Sequence, residues 1–379
     1  MLKFHFYLIV IIFVSLSISC TKEIKKTADT TKEKNAVTYA QGFAIVTKNG
    51  TKKLLIKSAY LNTKDVFEYH IQKKTNQANI SNNSQIIKVP IDKIVVTSTT
   101  HIPMLELLHQ ENTIIGFPHA SYISSEKTSQ LVSSGKITEI GKEEALNTEI
   151  LLDLQPELVV GYSISSADAS LTTLENAGIP VIYNGDWLEE TPLGRAEWIK
   201  FFGLLFDKEK QADSIFTIIE HNYINAKKLA LQATKKTTIL SGAVMSKDIW
   251  SLPAGNSFIS QFLQDANVTY LWENSEGKGS LSLSFESVFD KGKDADFWIA
   301  PGYFSTKKQL LKNNQLYANF KAFKNNTIYT PSTKKGKTGG VIYYEMAPTR
   351  PDLVLKDIIK ITNPKILPGY TLTFFEQMK

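Results

Sequence analysis

Short apolar runs alternate with amphipathic segments between residues 91 and 192. The runs KIVVTSTT, TIIGF, PELVVGY and IPVIYNG are rich in valine and isoleucine, and segments with helical spacing of apolar positions lie between them. Strands that alternate with helices are typical of βα units in a parallel sheet. The pattern therefore predicts an α/β lobe with functional loops at the carboxyl ends of its strands.

One long helical segment interrupts this alternation. Residues 208–232 carry apolar side chains at spacings of three and four, namely Ala212, Ile215, Ile219, Tyr223, Ala226 and Ala230. About 25 helical residues span roughly 38 Å, the width of a small domain. The alternation then resumes with KTTILSGAV, ADFWIAPG and TIYTPS as strands and RPDLVLKDIIKITNP as the closing helix. We therefore predict two similar α/β lobes, each a mainly parallel sheet with flanking helices, joined by one long helix.

The start of the chain has the pattern of a secretory signal. Lys3 precedes an apolar run over residues 4–18, and Cys20, the only cysteine of the chain, follows it. A basic start, a short apolar core and small residues predict a signal peptide. Cleavage before Cys20 would resemble processing at a bacterial lipobox, in which the thiol receives a lipid; plain secretion is the alternative. A single cysteine offers neither a disulfide framework nor a thiolate metal site.

Two further segments precede the first lobe. Residues 21–36 are polar and charged and contain no aromatic residue, which predicts a flexible tether. The stretch YAQGFAIVTKNGTKKLLIK places two strand-like runs around Asn49 and Gly50, a strong hairpin signal. The predicted boundaries are a signal peptide at 1–19, a tether at 20–36, a small β extension at 37–90, an N-terminal lobe at 91–192, a helical connection with the inter-lobe helix at 193–235, and a C-terminal lobe at 236–379.

Composition and motifs exclude several functions. Of the 379 residues 42% are hydrophobic, enough for a core in one or two domains. The net charge of +6 comes from lysines spread along the chain rather than grouped with aromatics, so no nucleic-acid partner is expected. No G-x-S-x-G motif points to a hydrolase, and no enzyme activity is expected. His101, His109 and His119 lie near Glu106 but form no H-x-x-x-H pair, so we predict no metal site.

The order of motifs resembles a known family. The segments KIVVTS, LLDLQPELVVGY, LENAGIPVIY, WIKFFGLLFDKEKQADSIF, SLPAGNSFISQFLQDA, SFESVFDKGKDADFWIAPG and RPDLVLKDIIKITNP follow each other as in the class III substrate-binding proteins of ABC importers, which carry ferric siderophores, haem and cobalamin. The resemblance covers roughly residues 91–370, and TPLGRAEWIKFFG looks most like homologues from the Bacteroidetes.

This resemblance implies a receptor without cofactor. It would capture a ferric siderophore or similar metal chelate in the cleft between its lobes and deliver it to a membrane permease with its ATPase. Haem, cobalamin or, less expected, free Zn or Mn are the alternative cargoes, and an adhesion or signalling lipoprotein is the alternative role. The receptor would be a monomer, anchored through Cys20 on the periplasmic side of the cell envelope, with the cell surface as the alternative.

Aromatic residues in the loops after the strands are the predicted ligand contacts. A flat side chain there offers a large contact area at low entropy cost, although packing of the loop is the alternative for each. In the first lobe these residues are His119, Tyr122, Tyr162 and Trp187, and in the second they are Trp250, Tyr303, Tyr343 and Tyr344.

Two arginines and two glutamates complete the predicted site. Arg195 and Arg350 are the only arginines of the chain, and a guanidinium suits an acidic ligand group. Their alternative is a salt bridge, with Glu189 or Glu190 for Arg195 and with Asp352 for Arg350. In the family each lobe presents one acid to the permease, and the resemblance puts these acids at Glu149 and Glu286. Stabilisation of a helix start is the alternative for both.

Overall fold

The computed structural model describes residues 33–75, 85–142, 145–164, 166, 168–245 and 249–379. Cys20, the predicted signal peptide and the first part of the predicted tether lie outside these residues. Among the described residues, no helix combines the length and the apolar character needed to cross a bilayer.

The first lobe is built on a five-stranded, fully parallel sheet. Its spatial order is β12 (Val181–Tyr183), β11 (Leu158–Gly161), β6 (Ile94–Val96), β7 (Ile114–Phe117) and β8 (Thr138–Glu139). The helices are α1 (His101–Leu107), α2 (Glu126–Ser133), α3 (Thr148–Leu154) and α4 (Ala169–Asn176), and β9 (Gly141–Lys142) pairs with β10 (Ala145–Leu146). Three short 3-10 helices cover Glu111–Thr113, Ala120–Tyr122 and Asp186–Leu188. The four apolar runs read from the sequence are the buried strands β6, β7, β11 and β12.

The second lobe repeats this plan. Four parallel strands and one antiparallel edge strand follow the order β16 (Thr269–Tyr270), β13 (Thr238–Ser241), β18 (Phe297–Ile299), β19 (Ile328–Thr330) and β20 (Glu376–Gln377). A separate antiparallel sheet contains β14 (Ala243–Val244), β15 (Ile249–Pro253) and β17 (Ser280–Ser284). The helices are α8 (Phe258–Asp265), α9 (Phe285–Gly292), α10 (Lys307–Asn313), α11 (Lys321–Lys324), α12 (Ile342–Met346) and α13 (Pro351–Thr362), with a 3-10 helix at Gln315–Asn319.

A long helix joins the two hydrophobic cores. After α5 (Pro192–Glu197) and α6 (Ile199–Leu205), α7 runs over Glu209–Ala230, close to the predicted 208–232. Its first buried residues, Ala212, Phe216 and Ile219, pack in the core of the first lobe. Tyr223, Ala226 and Ala230 pack in the core of the second. The prediction of two mainly parallel lobes joined by one helix is confirmed, although Phe216 rather than Ile215 is fully buried on this face.

The N-terminal sheet belongs to the first lobe's core. It contains β1 (Lys34–Asn35), β2 (Phe43–Lys48), β3 (Thr51–Ile56), β4 (Phe67–Lys73) and β5 (Gln85–Val89). The predicted hairpin at Asn49 and Gly50 joins β2 and β3. Phe43 is fully buried, with its ring 4.5 Å from that of Trp198 in the connection. This sheet therefore shares one apolar core with the lobe, and β1 lies within the segment predicted as a tether.

Two buried glutamates fasten this sheet to the connection. Glu197 accepts hydrogen bonds from the backbone N–H groups of Thr38, Tyr39 and Ala40, at 2.9, 2.6 and 2.9 Å. Glu189 accepts from the N–H groups of Gln41 and Gly42, at 2.9 and 2.8 Å. We name these contacts the N-terminal clamp. A buried carboxylate is destabilising without hydrogen-bond donors, so the two glutamates depend on the N–H groups of residues 38–42. The same hydrogen bonds hold this N-terminal segment on the connection.

Candidate functional site in the inter-lobe cleft

The first lobe presents a polar wall at the carboxyl end of β12. Asn184 follows the strand directly and is buried, and its side-chain oxygen accepts from the N–H of Asp186 at 2.9 Å. Asp186 in turn faces Arg195, with 3.4 Å between its Oδ2 and Nη2. Trp187, the next residue, has its ring 5.9 Å from that of Tyr162, which follows β11. Five side chains from two strand ends and α5 therefore lie close together.

His101 lies behind this wall and was not predicted as part of the site. Its ring is buried and stands 5.5 Å from that of Phe202, and among the described residues neither ring nitrogen has a hydrogen-bond partner. Burial lowers the pKa of His101 to about 4, because desolvation outweighs the attraction of the Asp186 carboxylate. The imidazole is therefore neutral at physiological pH.

The second lobe contributes an apolar wall with two adjoining cavities. A cavity of about 280 Å³ is lined by Pro192, Arg195, Phe258, Ile259, Phe262, Tyr343, Tyr344, Ala347 and Pro348. A second, of about 160 Å³, shares Ile259, Phe262, Tyr343 and Tyr344 and reaches the ends of β13 and β18. The guanidinium of Arg195 lies 4.6 Å from the centre of the Phe258 ring, a cation–π contact. Arg195 thus connects the polar wall with the apolar one.

Three of the predicted tyrosines form a chain along this second wall. The Tyr303 ring lies 5.7 Å from that of Tyr344, which lies 5.5 Å from Tyr343. Tyr303 is 75% exposed, whereas burial raises the pKa of Tyr343 to about 12. On the opposite lobe, Tyr122 is exposed and packs edge-on against His119 at 5.0 Å. Aromatic faces are therefore available on both lobes.

The lobes contact each other along one edge of the cleft. Glu345, buried on α12, accepts from the backbone N–H groups of Ser124 and Ser125 in the first lobe, at 2.6 and 2.9 Å. Beside it the Thr338 hydroxyl donates to the Ile123 carbonyl, and Lys337 pairs with Glu126. We call these contacts, between residues 122–126 and 336–345, the inter-lobe latch.

Two glycines allow the latch to close. A Cβ at Gly336 would lie 2.1 Å from the Ser124 carbonyl oxygen, and one at Gly340 would lie 2.2 Å from that of Tyr122. Both distances are far below van der Waals contact, and the obstructing atoms are backbone.

Replacement of Gly336 with alanine is expected to force the latch apart. We expect a cost of about 1–3 kcal/mol, as for other overpacked contacts. Small-angle scattering should show a larger radius of gyration for the variant. Gly279→Ala is the matched control, since no atom of the part of the chain that the structure describes lies within 4 Å of its Cβ position. An unchanged radius together with unchanged stability would show that the latch does not hold the lobes.

Trp250 is corrected from a ligand contact to a core residue. It was predicted in a loop, but it lies in β15, where Trp250 and Leu252 point inward and are fully buried. Its ring stacks on that of Trp298 at 5.0 Å and also contacts Tyr317 and Phe320. The alternation of side chains along a strand therefore removes Trp250 from the cleft.

The salt-bridge partner of Arg195 differs from those expected. Arg195 was expected to pair, if at all, with Glu189 or Glu190, and it pairs with Asp186 instead. Glu189 is occupied by the N-terminal clamp, and Glu190 pairs with Lys278 of the second lobe.

Arg350 forms the salt bridge that was its alternative role. Its Nε and Nη2 bind the two carboxylate oxygens of Asp352, both at 2.9 Å. Asp352 raises the pKa of Arg350, and this arginine lines neither cavity described above.

Glu149 and Glu286 occupy equivalent positions in the two lobes. Each is the second residue of its helix, α3 or α9, and each is exposed. The helices are capped by Asn147 and Ser284, whose side chains already accept backbone N–H groups. Neither glutamate is therefore needed as a cap.

Sequence reasoning assigned no role to Asn184 or Glu345, which are both buried polar side chains near the site. The sequence NGDW directly after a buried strand was a usable signal for Asn184, whereas no local signal marked Glu345. Within the described residues, no three His, Cys, Asp or Glu side chains stand close enough to hold a metal ion.

Comparison with known proteins identifies the family of this chain. The profile of the periplasmic binding protein family matches residues 94–333, more than half of the chain. The chain belongs to the periplasmic binding protein family. The family and its fold are those of substrate-binding proteins. A similar protein, 25% identical over 305 residues that cover 78% of this chain and 71% of the relative, is an uncharacterized lipoprotein of Methanocaldococcus jannaschii.

Solved structures of periplasmic binding proteins share the fold. A periplasmic haem-binding protein from Pseudomonas aeruginosa has a TM-score of 0.58 at 15% identity, covering 76% of this chain and 98% of its own. The petrobactin-binding protein of Bacillus subtilis has a TM-score of 0.57 at 18% identity, covering 81% and 99%. A possible iron-binding protein from Staphylococcus epidermidis has a TM-score of 0.55 at 19% identity, covering 73% and 100%.

Proposed function

We propose that this periplasmic binding protein is the substrate-binding component of an ABC importer for an iron-siderophore-type complex. The observation that carries the proposal is the cavity in which Arg195, paired with Asp186, lies beside an otherwise apolar lining that includes Tyr343 and Tyr344. A large ligand with a flat apolar body and oxygen groups suits such a lining. Haem and cobalamin are alternative cargoes for the same cleft, and free Zn or Mn is a weaker one.

Lipid anchoring through Cys20 is part of the proposal. It is supported by the apolar run before this cysteine and by similarity to proteins named as lipoproteins. An anchored, monomeric receptor would remain beside its permease and ATPase on the periplasmic side of the membrane. Metabolic labelling with a fatty acid would test this, with Cys20→Ser as the unlabelled control.

Ligand capture is tested by tryptophan quenching of the chain that carries Cys20→Ser. The panel contains ferric hydroxamate, catecholate and citrate complexes, haem, cobalamin and free Zn and Mn. We expect saturable binding to one class of chelate or tetrapyrrole. Trp187→Ala should weaken it about tenfold, the equivalent of about 1.4 kcal/mol, since an aromatic contact and an indole donor are lost. Binding of free metal alone would overturn the proposal.

Glu149 and Glu286 are proposed to dock the receptor on its permease. Glu149→Lys and Glu286→Lys together should abolish transport in proteoliposomes and leave ligand affinity unchanged, because like charges placed opposite each other cost several kcal/mol. Asp153→Lys with Asp290→Lys is the matched control, since these exposed acids lie further along the same two helices. Transport that survives the glutamate exchange, or fails equally in the control, would contradict the docking role.

A further inference from the structure

A loop of the N-terminal sheet reaches the strand ends of the first lobe. Residues 57–66 join β3 to β4 and lie outside the part of the chain that matches the family. The N–H of Leu61 donates to the carbonyl of Ile164, in the loop after β11, at 2.9 Å. The Tyr60 ring packs edge-on against the ring of Tyr183, the last residue of β12, at 5.8 Å. One loop therefore contacts two neighbouring strand ends.

The closest contact of this loop joins Ser58 to Gly185, which lies just after β12. A Cβ at Gly185 would stand 1.7 Å from the Ser58 carbonyl oxygen. The φ angle of Gly185 is −103°, which other residues adopt freely, so the close approach and not the backbone conformation requires glycine here. Two backbone segments that are distant in sequence are thus packed directly against each other.

The base of the loop is tied to the far end of the same segment, residues 183–189. The carbonyl of Gly42 accepts from the N–H groups of Lys57 and Ser58, at 2.7 and 3.2 Å. The N–H of Gly42 donates to Glu189 at 2.8 Å. The N-terminal sheet therefore holds the segment 183–189 at its beginning, middle and end.

Asp186 lies within the segment that is held in this way. Its buried carboxylate faces Arg195, with 3.4 Å between Oδ2 and Nη2. Arg195 lines the cavity of about 280 Å³, where its guanidinium stands 4.6 Å from the centre of the Phe258 ring. Among the described residues that line this cavity, Arg195 is the only charged one. A displacement of Asp186 would therefore move the one charge of the cavity.

We propose that residues 57–66 are a positioning loop, which holds the segment 183–189 in place and thereby fixes Arg195 in the cavity. The loop supports the cavity and is not itself a ligand contact. A site that is rigid before binding loses less entropy when a ligand arrives, and its affinity is higher for that reason. The effect on affinity rests on the proposed function, whereas the position of Arg195 can be measured without a ligand.

Replacement of the whole loop tests this role. Ile56 and Phe67 are directly opposed in the ladder of β3 and β4. An Asn-Gly dipeptide can therefore replace residues 57–66 as a two-residue hairpin turn that keeps the sheet. The exchange removes the contacts with Ile164, Tyr183 and the backbone at position 185, and it is made in the chain that carries Cys20→Ser.

The measurement is the Nε–H signal of each arginine in NMR spectra. Arg195 and Arg350 are the only arginines of the chain, and the Nε of Arg195 is buried. In the loop-replaced chain we expect the Arg195 signal to shift or broaden. The Arg350 signal should stay, because Asp352 holds that side chain. For a ligand that binds in the panel above, affinity should fall about tenfold.

Point variants decide the matter if the loop-replaced chain does not fold. Tyr60→Ala removes the ring that packs on Tyr183 and should also shift the Arg195 signal, whereas Tyr60→Phe keeps the ring and should give the unmodified spectrum. Gly50→Ala is the matched control. It strains the same sheet at the opposite end of β3, where Gly50 has a φ of 78°. This control should lower the melting temperature and leave the Arg195 signal unchanged.

The possible failures can be told apart. An unchanged Arg195 signal in a folded loop-replaced chain or in Tyr60→Ala would overturn the positioning role. Equal changes in both arginine signals would indicate a general rearrangement and would overturn it too. Unchanged affinity despite a shifted Arg195 signal would show that the loop does not support binding. Absence of binding across the panel would overturn the proposed function alone, because the arginine signals do not depend on a ligand.

Discussion

Replacement of Trp250 with alanine is expected to lower the free energy of unfolding by about 3–5 kcal/mol, the usual cost of removing a large buried aromatic side chain. The Trp250 ring is fully buried between Trp298, Tyr317 and Phe320, so its loss leaves a cavity that the surrounding rings cannot fill. Denaturant unfolding followed through the second lobe would measure this change. Ligand affinity of the folded variant should be unchanged.

Trp187→Ala is the matched control for this prediction. Trp187 is half-buried at the polar wall of the cleft, so its removal should weaken ligand binding with a smaller loss of stability. The two tryptophans thus separate stability from binding. If Trp250→Ala lost ligand binding without losing stability, Trp250 would be a ligand contact and not a core residue.

Glu345 should make the stability of the protein fall as pH rises. Burial raises the pKa of its carboxyl from 4.5 to about 7, despite the hydrogen bonds from Ser124 and Ser125 and with a further contribution from the nearby Glu106. A group whose pKa is raised in the folded state contributes stability that is complete below the unfolded pKa. That contribution is lost as pH rises from about 4.5 through about 7, and it amounts to at most about 3 kcal/mol.

Glu345→Gln should remove this part of the pH dependence. The amide costs one hydrogen bond at every pH, so the slope of stability against pH is the informative quantity. His101 acts in the opposite direction, since its lowered pKa removes stability as pH falls from 6.5 through about 4. The difference between wild type and Glu345→Gln cancels the His101 contribution. An identical slope in both proteins would show that Glu345 does not titrate at the latch.

The regular part of the fold could be predicted from local patterns. Apolar runs and helical spacing indicated both parallel sheets and the long helix, because these elements depend on periodicities within a few residues. The loops after the strands also correctly indicated where Tyr162, Trp187 and Tyr303 lie relative to the strands. The position of Arg195 in the first helix after the first lobe was also predicted correctly.

What could not be predicted depends on distant parts of the chain. Glu345 and Ser124 form a hydrogen bond although they are 221 positions apart, and no sequence pattern near either residue predicts this contact. The N-terminal sheet was expected as an appendage because its strands are locally complete, whereas its attachment depends on Glu189 and Glu197. Trp250 was misplaced because strand β15 is short and its alternation covers only a few residues.

The N-terminal clamp has a consequence for biogenesis. Thr38 leaves the ribosome, and would leave an export channel, long before its partner Glu197, which follows 159 residues later. The first lobe therefore cannot complete its core until the connection has emerged, and the second needs β20, which pairs with β19 but follows it only after α12 and α13. Contacts so distant in sequence slow folding. Neither core of such a chain can be completed early in synthesis, and this would suit translocation of the chain in an unfolded form.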